Sequence, residues 1–133
     1  MSFDLNTLAA KDTTEFHLRH PVTDEFLYAD AEKKLPVMAV LYGPSSKQYR
    51  NQITAMQNRS LKRGKKVVSA EVLRDEGIEL LVACSERIDN LTFNGKPVNT
   101  DSAFRELYAD AAYDWLKSQI DAALGDAASF LAQ

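Results

Sequence analysis

Between residues 13 and 19 apolar and polar positions alternate, with Phe16 and Leu18 set against Glu15, His17 and Arg19. A period of two belongs to a strand with one buried face. His20-Pro21-Val22-Thr23-Asp24 is turn material, 25–28 reads as a short returning strand, and 36–42 is almost wholly apolar, as expected of the most buried strand. These strands, at about 14–42, predict a small antiparallel meander. Gly43-Pro44-Ser45 then changes the period. Tyr49, Ile53 and Met56, continued by Ser60, form a narrow stripe at helical spacing, predicting a helix over about 45–63 that Gly64 ends.

A second helix is predicted over 69–88. Ser69 is its N-cap, Glu71 lies in its first turn, and Leu73, Gly77, Leu80, Leu81, Cys84 and Ile88 form its inner face. Asn94-Gly95, with Leu91 and Phe93 before it and Val98 after, is a tight-turn signal. Ser102 opens a short helix over about 102–109 through Phe104, Leu107 and Tyr108. Asp110 caps a last helix over about 111–131, striped by Tyr113, Leu116, Ile120 and Leu124, flanked by Trp115 and interruptible at Gly125. The expected class is α+β, a small N-terminal antiparallel β-meander followed by a helical C-terminal part. One domain, 13–133, follows a polar arm, 1–12, with scattered Phe3, Leu5 and Leu8.

Charge changes this picture more than composition does. A chain of 133 residues, 45% hydrophobic and 26% charged, can bury a core without metals or disulfides. Residues 45–66 hold seven basic side chains (Lys47, Arg50, Arg59, Lys62, Arg63, Lys65, Lys66) and no carboxylate. Residues 101–126 hold six carboxylates against Arg105 and Lys117. Such sorting points either to a polyanion-binding face or to a subunit that meets its own copies. The net charge of −3 and the lack of interleaved aromatics beyond Tyr49 argue against nucleic acid. A small nucleic-acid-binding or regulatory protein using the basic helix 47–66 is the alternative reading. No basic run followed by an apolar core marks a signal peptide, and no window approaches a membrane span, so a cytoplasmic protein without a membrane partner is expected.

The candidates for chemistry are few. Gly43-Pro44-Ser45-Ser46-Lys47 sits between strand and helix, as phosphate loops do, but lacks the second glycine and the Gly-Lys-Ser/Thr ending. His17 and His20, three apart on or beside a strand, point to opposite faces and do not form a metal pair. Cys84 lies on an apolar stripe with no histidine placed to activate it, and Met38 and Met56 read as core filler. No catalytic residue, metal site or cofactor is expected.

Several segments together resemble the tail assembly chaperones of long-tailed bacteriophages and prophages. They are 16–21 (FHLRHP), 40–50 (VLYGPSSKQYR), 58–63 (NRSLKR), 81–84 (LVAC), 91–97 (LTFNGKP), 107–110 (LYAD), and 120–126 (IDAALGD) with 130–131 (FL). The resemblance implies a non-catalytic protein that binds the tape measure protein, keeps it soluble and promotes tail tube assembly around it. It further implies contact with tail tube protein, a place in the host cell cytoplasm and absence from the mature virion. A longer form made by translational frameshifting is common in the family, and an ending at Phe130-Leu131-Ala132-Gln133 fits the short form.

A tape measure protein is a long helical chain whose apolar stripes aggregate unless covered, and amphipathic helices can cover them. The partner-binding candidates follow from the charge and apolar patterns of this chain. They are Arg50, Arg59, Lys62 and Arg63 on the basic surface, and Tyr113, Leu116, Ile120, Phe130 and Leu131 on a C-terminal apolar surface. Opposite charge on the two regions also predicts self-association into a homo-oligomer, weakened by salt.

Overall fold

In a computed structural model of the chain, the described residues are 1–126 and 130. Four strands form one antiparallel sheet in the order β1 (Thr13–His17), β2 (Met38–Tyr42), β3 (Ser85–Phe93) and β4 (Lys96–Val98). The helices are α1 (Lys47–Arg63), α2 (Ala70–Cys84), α3 (Asp101–Ala109) and α4 (Asp114–Gly125). The class is α+β as expected, but the strands are not all N-terminal. Half of the sheet comes from the region read as helix and turn.

The register explains which face is dry. Phe16 pairs with Ala39, and Ala39 with Ile88, so these residues share the face that joins the helical core. Glu15, Val40 and Arg87 share the opposite face. The returning strand expected at 25–28 is reduced to two isolated bridges, Arg19 to Phe26 and Tyr28 to Pro36. Leu27 is held there by its amide donating to the Leu18 carbonyl (2.9 Å), while its own carbonyl accepts from Val37 (3.0 Å).

The second helix stops at Cys84, not Ile88. Ser85 turns to extended backbone, and its Oγ donates to the Leu81 carbonyl at 2.6 Å. The chain enters β3 with no intervening loop, so nothing in the sequence punctuates the change. Ile88 fits both periods, four residues from Cys84 on a helix and inward-facing on a strand. Asn90, at φ 62°, marks a bulge that lets Leu91 and Phe93 pack against the same core as Ile88 despite the odd spacing. Asn94 and Gly95 both take positive φ (53° and 79°), the geometry required of a two-residue hairpin turn with right-handed strand twist.

Only the second half of α2 lies on the sheet. Its buried residues are Ile78, Leu81, Val82 and Cys84, whereas Leu73 and Gly77, expected inside, are exposed. From α3 come Phe104, Leu107 and Tyr108, and from α4 Leu116, Ile120, Ala123 and Leu124. Thr100 rather than Ser102 caps α3, accepting from the Ala103 amide at 3.2 Å. Asp110 caps a short 3-10 turn, Ala111–Tyr113, ahead of α4. Residues 1–10 are all exposed, and the arm joins the body through the Asp12 carbonyl, which accepts from Gly43 at 2.7 Å.

A buried polar relay sits where α2 passes into β3. Because Ser85 gives its proton to Leu81, the Tyr108 hydroxyl is the donor in its 2.7 Å bond to Ser85. Burial pushes the Tyr108 phenol well above its usual range and the Cys84 thiol up to about 12. The fold therefore keeps two protons that the unfolded chain releases near pH 8.5 and 10. Their contribution to stability is complete below those values and is lost as pH rises through them toward the folded-state values. The expected slope is about 1.4 kcal/mol per pH unit for each group. Denaturant melts between pH 8 and 11 should show this decline, with Cys84→Ala flattening its onset; stability constant up to pH 11 would contradict the buried relay.

Candidate interaction surface

Along the α1–α2 hairpin, α1 and the first half of α2 contain no buried residue. Ser46 starts α1, its Oγ accepting from the Tyr49 amide (3.2 Å) and donating to the Gly43 carbonyl (2.6 Å). Tyr49, Ile53 and Met56 are half-buried, as their spacing predicts, but no residue of α1 is fully buried and Ser60 is exposed. Gly64, at φ 60°, ends the helix, and Ser69 caps α2 by accepting from Val72 (3.2 Å).

Where the apolar stripe runs out, ion pairs hold the two helices. Arg63 donates to Glu76 at 2.8 Å and Arg59 approaches the same carboxylate oxygen at 3.6 Å. The Arg63 hydrogen bond holds the Glu76 carboxyl below its usual range, against partial burial and with both guanidinium charges adding to it. The Arg63 Nε is itself buried without a hydrogen-bond partner. Arg59 and Arg63, expected on a binding surface, are therefore intramolecular struts. Arg50 and Lys62 are exposed and make no ion pair among the described residues.

The C-terminal apolar candidates are corrected more strongly. Leu116, Ile120 and Phe130 are buried in the core, because α4 turns Leu116, Ile120 and Leu124 inward and Phe130 packs against Gly43. Tyr113 is 37% exposed, with its ring edge-on to Phe93 at 5.4 Å. Leu131 lies outside the described residues.

The surface that the sequence pattern did not single out is the free end of the hairpin. Leu61 is 79% exposed, Val67 97% and Leu73 57%, with Val72 beside them. Lys62, Lys65 and Lys66 lie in the same end of the hairpin, all exposed and without ion pairs among the described residues. The signals were available: Leu61 falls off the stripe of Tyr49, Ile53 and Met56, and Val67 stands in the connection between two helices.

The other candidates are occupied internally. The His17 Nε2 donates to the Leu27 carbonyl at 2.7 Å, and its ring stacks on Phe26 at 4.5 Å, with the Arg19 guanidinium 4.3 Å from that ring's centre. The His20 Nδ1 accepts from the amides of Val22 and Thr23. Among the described residues no group of three or more His, Cys, Asp or Glu side chains is placed to hold a metal ion, and no helix is long and apolar enough to cross a membrane.

Fold and surface together define a small α+β protein with a buried core and a helical hairpin whose free end carries exposed apolar and lysine side chains. A scan against protein-family models, a search of curated proteins and a search of solved structures each give no match.

Proposed function

We propose that the protein is a non-catalytic tail assembly chaperone that binds a tape measure protein, keeps it soluble and promotes tail tube assembly. The observation that carries this reading is the hairpin end, where Leu61, Val67 and Leu73 stand exposed at or beside a connection that also carries the exposed Lys62, Lys65 and Lys66. Exposed apolar side chains rimmed by charge are the mark of a protein-binding surface. An amphipathic client helix laid across them loses its own exposed stripe, and the lysines favour one with acidic flanks. The sequence segments that resemble tail assembly chaperones supply the identity of that client.

Nucleic-acid binding by α1 is less well supported, since Arg59 and Arg63 are engaged by Glu76 and leave fewer cations free for phosphates. Co-expression with the tape measure protein of the same phage genome, followed by affinity capture and sizing, tests the proposal. A soluble, stoichiometric complex is the expected result. An insoluble tape measure protein, together with a chain retained on DNA and released steeply by salt, would replace it with the nucleic-acid reading.

A further inference from the structure

α2 changes character at Gly77. From Ile78 onward it buries Ile78, Leu81, Val82 and Cys84, whereas residues 64–77 hold no buried side chain and only Val68 and Glu76 are half-buried. Apolar burial is the main source of local stability, so this stretch is the part of the hairpin most easily opened. Among the described residues, side chains tie it to other elements at two places. Glu76 takes Arg63 and Arg59 of α1 on one carboxylate oxygen, and Arg74 donates to the Ala109 carbonyl of α3 at 3.2 Å. The Glu76 side chain is only 13% exposed, and losing it would leave the half-buried Arg63 guanidinium without its anion. Beside the pair lies an open cavity of about 440 Å³ whose one apolar lining residue is Val72, so charge rather than packing closes this end. Gly77 sits directly between Glu76 and the first buried residue. Neither a positive φ nor a close neighbour requires a glycine there, since a Cβ would meet nothing within 4 Å. What glycine supplies inside a helix is a weak point.

We infer that residues 64–77 form a flap, latched to α1 by Glu76 and hinged at Gly77, that opens while the core stays folded. Gly64, at φ 60°, marks the other end of the flap. Opening breaks one shared ion pair and one hydrogen bond from Arg74, and frays the first turns of α2, with no buried apolar side chain to uncover. Hinges commonly fall on such small residues at the edge of a rigid element. The flap carries the exposed Val67, Val72 and Leu73, so the latch sets where these side chains can reach. The latch and hinge belong to the fold and stand without the client reading; their use in gripping a client rests on it.

Native-state hydrogen exchange of the protein alone, under conditions where exchange follows the opening equilibrium, tests it. The amides of residues 74–77 donate to carbonyls inside the flap, and those of 82–84 donate to carbonyls of the buried half of α2. In wild type the first set is expected to exchange at least about tenfold faster than the second. Glu76→Ala should speed the first set by at least about a further tenfold and leave the second unchanged. Alanine is the better helix former, so that gain reports lost pairing and not lost propensity. Gly77→Ala, which meets no neighbour, should slow the first set by about fivefold. Equal exchange of the two sets in wild type would overturn the inference. So would a Glu76→Ala variant that loosens both sets alike, fails to fold or changes neither, or a Gly77→Ala variant that does not slow the flap. No client is present in the measurement, so its outcome is separate from that of the co-expression test.

Discussion

Phe104→Ala is expected to lower the melting temperature by roughly 10–20 °C, the largest effect of any single truncation considered for this protein. Phe104 is fully buried on α3, which packs against α2, β3 and β4, and its ring stacks on Tyr108 with centroids 5.6 Å apart and planes 26° apart. Removing a buried phenylalanine costs about 3–5 kcal/mol, from lost transfer free energy and the cavity left behind. Loss of the aromatic pair contributes part of this, on the order of 1 kcal/mol. A domain of this size has about 5–15 kcal/mol of total stability, so the variant should be near the limit of folding at ambient temperature. Thermal unfolding followed by far-ultraviolet circular dichroism checks it, with Leu61→Ala as the exposed control, expected to change stability by less than about 0.5 kcal/mol. A Phe104→Ala variant melting within about 3 °C of wild type would mean that α3 does not close the core as described.

Gly43→Ala should destabilise by about 1–3 kcal/mol, and nearly all of that cost should vanish when Phe130 is also truncated. A Cβ at Gly43 would lie 2.4 Å from the Phe130 Cδ1, 2.6 Å from Cε1 and 2.9 Å from Cγ, well inside van der Waals contact. Neither partner has room to retreat. The Gly43 amide donates to Asp12 at 2.7 Å, its carbonyl accepts from the Ser46 amide and hydroxyl, and the Phe130 ring is buried. The backbone at Gly43 is not in the left-handed region, so alanine is excluded by the ring and not by conformation. A denaturant-based double-mutant cycle of Gly43→Ala and Phe130→Ala separates the two explanations. Strong coupling is expected, whereas additive costs would show that Phe130 is not the obstacle.

The legible parts of the fold were those with punctuation. Ser69 and Gly64 punctuate the hairpin helices as their residue types indicate, Asn94-Gly95 makes the two-residue turn its composition demands, and α1 starts two residues after the expected 45 with Ser46 as its cap. The passage from α2 to β3 carries no such punctuation: Ile88 satisfies both a helical and a strand period, and no Gly or Pro separates the two. The helical stripe from Leu73 through Gly77 also begins too early, since both residues are exposed and the burial of α2 starts at Ile78. Burial also decided the surface. Apolar stripes such as Leu116 and Ile120 look the same whether they face a core or a partner, and Phe130, set beyond Gly125, returns to the core against Gly43, where a Cβ would meet its ring. Charge counting found the basic segment but not its internal partner, since Glu76 is distant from Arg59 and Arg63 in sequence and near them only once α2 folds back along α1.

The central claim is that the hairpin end covers the client. Its most direct test is the soluble yield of tape measure protein co-expressed with wild type or with Leu61→Ser/Val67→Ser/Leu73→Ser. These three side chains are exposed, so the variant should fold and melt like wild type. The account predicts that the folded variant leaves the tape measure protein insoluble, while wild type recovers it in a stoichiometric complex. A variant that keeps the client soluble as well as wild type does would contradict it and place the binding surface elsewhere on the molecule.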